Sequence, residues 1–482
     1  MAAEPPAVAI LGAGIAGLVA AHELERLGHS VIVLEGSGRI GGRVFTHRFG
    51  SADNAPYADL GAMRIPTGHA LTMRYVDELG LTPALRPFRT ILSDPNNYLA
   101  TGRGFVRVRD AAGPVVEDLR CAVPVDSFRR DTVLFCAWLA ALARAVGPRA
   151  LRTGLAAEIT PMLRAADRVD LSSYVHGPAD RFDLVGAFDT HPQLREACGV
   201  RLAGFIDDLL LETGTRLRYL AGGMGRITDR LAARLRGPVL LDREVVSLHV
   251  RGDQVLVGLR HRGVDVLSRY PVAVCTLPFS VLRELQLAGL DDDKREVIRS
   301  VEYAAATKIA LHCREPFWKR AAISGGASAT GGRLRQTYYL PQDGDPALGA
   351  VLLGSYAIAE DAAPLGRLPA DRRHAASLEE LAGLHPELKA PGAVLGAASI
   401  SWGDHRWSKG CAAHRWRWGK DAAAARAEGM RAARPQGGLF FAGEHCSSTP
   451  AWINGAIEAA LAVTGAVDAA LRTGAADRAQ RS

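Results

Sequence analysis

Val8-Ala9-Ile10-Leu11-Gly12-Ala13-Gly14-Ile15-Ala16-Gly17 leads through an amphipathic, helix-like stretch into Val31-Ile32-Val33-Leu34-Glu35. A short apolar run, a tight glycine turn, a helix, a second apolar run and then an acid spell a βαβ unit. Each residue has a job in that unit. Gly12 permits the sharp turn out of the strand, Gly14 lets backbone N–H groups approach a pyrophosphate, and Gly17 lets the helix lie close to the sheet. The helix N-terminus then faces the phosphates. Glu35, about 20 residues beyond the glycines, is placed to accept hydrogen bonds from an adenosine ribose. Taken alone, the unit predicts a dinucleotide and leaves NAD and FAD equally open.

Directly after the acid comes Gly36-Ser37-Gly38-Arg39-Ile40-Gly41-Gly42-Arg43, a second glycine segment carrying two arginines. Glycines let backbone lie against a ligand, and a guanidinium can grip a diphosphate with two parallel hydrogen bonds. Further on, Arg64 stands alone among apolar neighbours in Gly61-Ala62-Met63-Arg64-Ile65-Pro66, with His69 behind it. A buried arginine needs an anion, and either a protein carboxylate or a substrate carboxylate would serve.

The chain has 482 residues, 48% hydrophobic and 23% charged, enough for two or three domains around a sizeable core. Its net charge of +7 comes from arginines scattered without a run, so no nucleic-acid arm is expected. Seven dispersed cysteines with no C-x-x-C pair argue against a disulfide framework and a zinc site, and no metal is expected. A reducing, cytoplasmic setting follows from that cysteine usage. The N-terminal residues show no secretory pattern. Thr132 to Val146, the most apolar helical stretch, is too short to span a bilayer and reads as a buried helix, so no membrane partner is expected.

From about Asp110 to Leu220 the apolar spacing is helical, an inserted helical region whose polar residues, including His176, His191 and the Asp207-Asp208 pair, read as a solvated face. Strands then return from Val239 to Leu277. Lys308 sits in a strand-like apolar run, Ala306-Thr307-Lys308-Ile309-Ala310-Leu311, where an edge or snorkelling lysine is the ordinary expectation. Near the end, Leu439-Phe440-Phe441-Ala442-Gly443-Glu444 is a strand ending in Gly-Glu, followed by a helix from Trp452 to Ala470 and a tail that reads as frayed beyond Gly474.

Taken in order, Gly12 to Glu35, Gly38 to Arg43, Gly222-Gly223-Met224, Lys308 and Phe441 to Glu444 resemble the flavin-dependent amine oxidase family, and the segment 61–66 is similar to L-amino acid oxidases within it. The resemblance implies an α/β fold with a Rossmann-like FAD-binding domain of the glutathione reductase type, a mixed-sheet substrate domain and a helical insertion. Carried onto this chain, residues 1–63, 221–285 and 435–475 form the FAD-binding domain, 64–110 and 286–434 the substrate domain, and 111–220 the helical domain.

The same resemblance implies roles. Glu35 binds the adenosine ribose, Arg39 and Arg43 the diphosphate region, Val245 the adenine through its backbone, and Glu444 the ribityl chain or diphosphate. Gly12, Gly14, Ile15, Ala16, Gly17, Gly36, Gly42, Gly61, Ala62, Met63, Arg64, Trp407, Gly443, Ala451, Trp452 and Ile453 fall at cofactor-contact positions. Lys308 matches the lysine that holds a water at flavin N5, and Arg64 and Tyr356 match the pair that anchors a substrate α-carboxylate. Trp452 corresponds to an aromatic wall over the reacting amine, whereas the opposite wall would fall at Ala412, which carries no ring. Cys411 lies where monoamine oxidases join FAD covalently; here it reads as a small buried cysteine.

The activity implied is FAD-dependent oxidation of an L-amino acid by O2 to the 2-oxo acid, ammonia and hydrogen peroxide. A decarboxylating amino acid 2-monooxygenase and a primary-amine or polyamine oxidase are the alternatives. The aromatic residues Tyr338, Trp402 and Trp452 lean the side-chain preference toward large or aromatic substrates. An Arg- and Ala-rich composition suggests a bacterial source, and a homodimer is left open.

Overall fold

The computed structural model describes residues 8–52, 54–177, 179–252, 254–413 and 422–481. The opening unit folds as its glycines dictate: strand β1 (Val8–Leu11), helix α1 (Ile15–Arg26) and strand β2 (Val31–Leu34). All four residues of β1 are fully buried, because strands covered by helices on both faces must be apolar throughout. Gly12 has a φ of +105°, and a Cβ on Gly17 would lie 2.0 Å from the Gly12 carbonyl oxygen, so both glycines are sterically required.

β1 and β2 lie in a five-stranded parallel sheet, in the order Val239–Leu240, β2, β1, Val272–Cys275, Leu439–Phe441. Strands from the start, middle and end of the chain thus meet in one sheet. An antiparallel hairpin layer, Glu244–Arg251 with Gln254–His261 and Val264–Tyr270, carries Val245 at a register irregularity between Val245 and Ser247. The long helix Ile453–Arg481 packs on α1. It continues past Gly474, where the composition reads as a frayed tail; the alanines there favour helix more than their small size suggests. Among the described residues, Ile453–Thr473 alone is long and apolar enough to cross a bilayer, and half of it is buried inside the fold.

A second, seven-stranded mixed sheet has the order Val394–Ser401, Ala306–Cys313, Ala350–Ile358, Arg335–Tyr339, Gly326–Gly331, Tyr98–Thr101, Gly104–Arg107. Its central antiparallel pair sets Lys308 directly opposite Tyr356. A small sheet pairs Leu217–Leu220 with Ile65–Pro66 and Leu85–Pro87, which ties the segment after Arg64 to the strand leaving the helical region. That region contains Ala112–Ala122, Arg130–Val146, Leu155–Ala166 and the short helix Ile206–Leu211. Arg130–Val146 is buried along almost its whole length, and the indole N–H of Trp138 donates to the Asp180 carbonyl at 2.9 Å. All seven cysteines are free thiols.

Candidate active site

One cavity of about 710 Å³ runs between the parallel sheet, the seven-stranded sheet and the helical region. Its first end is the glycine cradle. Gly14, Ile15 and Ala16 line it at the N-terminus of α1, where no side chain caps the helix, so N–H groups are left for an anion. Gly42 lies against Gly14, and a Cβ on Gly42 would come within 3.2 Å of the Gly14 Cα. Glu35 closes this end; it accepts from the Ala13 N–H and from the Ser37 hydroxyl, each at 2.8 Å, which fixes the carboxylate at the rim. Trp407 packs over Gly36 so closely that a Cβ there would be 2.5 Å from the ring. Gly36, Val245 and Trp407 all line the cavity.

Gly17 is the one cofactor-contact position that stands outside the lining; its role is the contact of helix with strand. Arg39 lines the cavity, lies 4.2 Å from the centre of the Phe45 ring and donates to the Gly42 carbonyl at 2.8 Å. Arg43 donates to Glu444 at 2.7 Å and to the Cys411 carbonyl at 3.1 Å. Burial alone would raise the Glu444 carboxyl, but the Arg43 guanidinium, together with His445 and the Ala451 N–H, holds the group below its ordinary range. Glu444 also accepts from the N–H groups of Ala413 (3.1 Å) and Ala451 (2.9 Å), so it locks three segments around the middle of the cavity. Gly443, Ala451, Trp452 and Ile453 line the same stretch.

Beyond that point lie the expected reactive residues. Lys308 donates to the carbonyls of Asp59 (3.1 Å) and Gly61 (2.6 Å) and reaches the cavity beside Gly61, Ala62 and Met63. Burial lowers its ammonium well below the ordinary lysine value, only partly offset by Cys411 and Asp59. Tyr356 is also in the lining, and burial raises its phenol to about 12, so it is a protonated donor at neutral pH. Trp452 meets His69 edge-on at 5.1 Å. Cys411, expected to be buried, is half-buried and lines the cavity, and desolvation raises its thiol above the ordinary value.

Arg64 has found a protein carboxylate. Its Nη1 donates to Glu212 at 2.7 Å and its Nη2 to the other Glu212 oxygen, a bidentate pair bridging 148 residues of sequence. Burial alone would lower the guanidinium, but Glu212, together with Tyr338 and Tyr356, raises it and keeps Arg64 firmly charged. Both side chains face the cavity.

Two expectations from sequence change here. Asp208, read as part of a solvated face, lines the cavity, while Asp207 next to it is exposed and pairs with Arg195. Phe205, Asp208 and Glu212 enter together from one short helix, and the four-residue spacing of Asp208 and Glu212, which puts both on one face, was the available signal. Tyr338 stands outside the lining, behind Arg64; its hydroxyl is 3.4 Å from Nη1. Trp402 lines the cavity, but its indole N–H is committed to the Leu60 carbonyl at 2.9 Å.

The cradle fits an extended FAD: an uncapped helix N-terminus, a close pair of glycines and a rim acid lead to a buried lysine. Comparison with known proteins agrees. The chain is 51% identical over 465 residues to the flavin-dependent L-tryptophan oxidase RebO of Lentzea aerocolonigenes, covering 96% of this chain and 98% of that protein. It is 28% identical to an L-amino-acid oxidase of Mus musculus, over 95% of this chain and 70% of that one. A solved structure of putrescine oxidase shares the fold, with a TM-score of 0.65 at 19% identity and coverage of 96% and 99%. Residues 15–467 match the description "flavin containing amine oxidoreductase", and the chain belongs to that family.

Proposed function

We propose that this enzyme is an oxidase of L-tryptophan. The coarser activity, FAD-dependent oxidative deamination of an L-amino acid, is that of the related L-amino-acid oxidases; the indole side chain is the reading supported by the RebO likeness and by the walls of the cavity. The observation that carries it is the placement of a charged, buried Arg64 and the Tyr356 phenol in the same cavity as Lys308 and the cofactor cradle. A guanidinium and a phenol donor together suit an α-carboxylate, and amines without one have no use for them. Phe205, Val146 and Trp452 supply apolar wall for a large aromatic side chain.

FAD, when held along the cradle by Glu35, Arg43 and Glu444, would supply the redox chemistry, a two-electron acceptor whose electrons end on O2. The protein's share is positioning. Arg64 and Tyr356 hold the carboxylate so that one Cα–H is presented to the cofactor end of the cavity. Trp452 walls the amine. Lys308 gives two N–H groups to backbone carbonyls, and its remaining position, an N–H when charged and a lone pair when neutral, is left for a water at the reacting end. The amino acid loses two electrons and two protons to give the imino acid, which takes up water and releases ammonia and the 2-oxo acid.

Arg64→Ala tests this directly. KM for L-tryptophan rises by about one to two orders of magnitude, since a charge-assisted pair of about 1.5 to 3 kcal/mol is lost, while FAD content stays. An unchanged KM would remove Arg64 from the substrate site.

A further inference from the structure

Glu212 occupies the guanidinium edge that an incoming carboxylate would use. Both terminal nitrogens of Arg64 are engaged by its two oxygens, and a bidentate α-carboxylate is complementary to that same pair of N–H groups. The position is built rather than incidental. Glu212 caps the helix Ile206–Leu211, is only 10% exposed, and has the Tyr338 hydroxyl 3.5 Å from one oxygen; that hydroxyl in turn donates to Gln336 at 3.2 Å.

The pair has a physical logic. A buried guanidinium with no anion is costly, so Glu212 keeps Arg64 charged and oriented before substrate arrives. The same carboxylate opposes a second one. Whether Glu212 gives up the guanidinium or shares it, an α-carboxylate must enter against a negative charge only a hydrogen bond away from its own counter-ion. A ligand lacking a carboxylate neither displaces Glu212 nor gains from Arg64.

We propose that Glu212 is a specificity-determining residue: it competes with the substrate α-carboxylate for Arg64, and so sets the affinity of the site for amino acids. This rests on the assignment of Arg64 to the substrate carboxylate.

The test uses FAD-loaded enzyme and three ligands: L-tryptophan, indole-3-propionate (a carboxylate without an amine) and tryptamine (an amine without a carboxylate). Binding is read from the perturbation of flavin absorption. In Glu212→Gln, which keeps the shape and removes the charge, Kd for indole-3-propionate and KM for L-tryptophan each fall about tenfold, while tryptamine binding holds. Glu212→Asp, which keeps the charge on a shorter arm, guards against a folding defect in the amide variant; its Kd for indole-3-propionate falls about threefold, because the bidentate grip is broken. Unchanged or weaker carboxylate binding in both variants overturns the proposal, as does equal tightening of tryptamine. Weaker L-tryptophan with tighter indole-3-propionate also overturns it, by making Glu212 a contact for the substrate amine. Arg64→Gln separates the two assignments. If it leaves indole-3-propionate affinity intact, the Arg64 assignment itself fails; if affinity is lost there yet not gained in Glu212→Gln, only the competition fails.

Discussion

Lys308 and Tyr356 are direct partners across two antiparallel strands, and the lysine nitrogen lies 4.7 Å from the centre of the phenol ring. Strand pairing therefore fixes the relation between the residue assigned to the oxygen-reactive end and the residue assigned to the carboxylate. The two can be separated by mutation. Tyr356→Phe keeps the ring under Lys308 and removes one donor, so KM for L-tryptophan rises about tenfold with little change in oxygen reactivity. Lys308→Met slows reoxidation of the reduced enzyme by about 100-fold, while anaerobic reduction by substrate stays within a few-fold of wild type. Stopped-flow measurement of each half-reaction distinguishes them, and a Lys308→Met enzyme that reoxidises normally would refute its assignment.

Two alanine substitutions test how the cradle is built. Gly17→Ala places a methyl 2.0 Å from the Gly12 carbonyl oxygen, so helix and strand must part. The expected cost is about 3 kcal/mol together with loss of FAD on gel filtration. Gly465→Ala, in the long C-terminal helix with nothing within 4 Å of the new methyl, raises stability by up to about 1 kcal/mol. Equal effects from the two would contradict the close approach.

His445 makes the protein sensitive to acid. It lies beside Glu444, its ring is 4.4 Å from Phe279, and neither ring nitrogen has a hydrogen-bond partner among the described residues. Burial lowers its imidazolium from 6.5 to about 4. Between those values the unfolded chain binds a proton that the folded chain does not, so the contribution is fully present above pH 6.5 and is lost as pH falls toward 4. The loss amounts to about 3 kcal/mol. His445→Phe should flatten the urea-unfolding free energy across that window by close to one proton's slope; an unchanged slope would place the titration elsewhere.

The parts of the fold that could be read from sequence are those whose logic is local. The glycine turn, Glu35 and the apolar runs beside them carry their own geometry, and the Gly443-Glu444 strand end announces the return to the same sheet. Helix periodicity in the region before Leu220 showed that faces are buried but not what they face, because a 3.6-residue pattern holds no information about the partner. The spacing of Asp208 and Glu212 therefore put them on one face without saying that this face meets the cavity. Arg64 was legible as a residue needing an anion, yet its partner in the folded chain lies 148 residues away, beyond any local pattern. Tyr338 shows the reverse: an aromatic residue in a suggestive strand that proves to buttress Arg64 from behind.

Oxidation of L-tryptophan through a carboxylate anchor can be read from product analysis of the purified holoenzyme against the L-amino acids, tryptamine and putrescine. The expected result is the highest kcat/KM for L-tryptophan, with the 2-oxo acid, ammonia and hydrogen peroxide formed in equal amounts, and no turnover of either amine. Turnover of tryptamine at a rate comparable to L-tryptophan, or an amide and CO2 in place of peroxide, would contradict it.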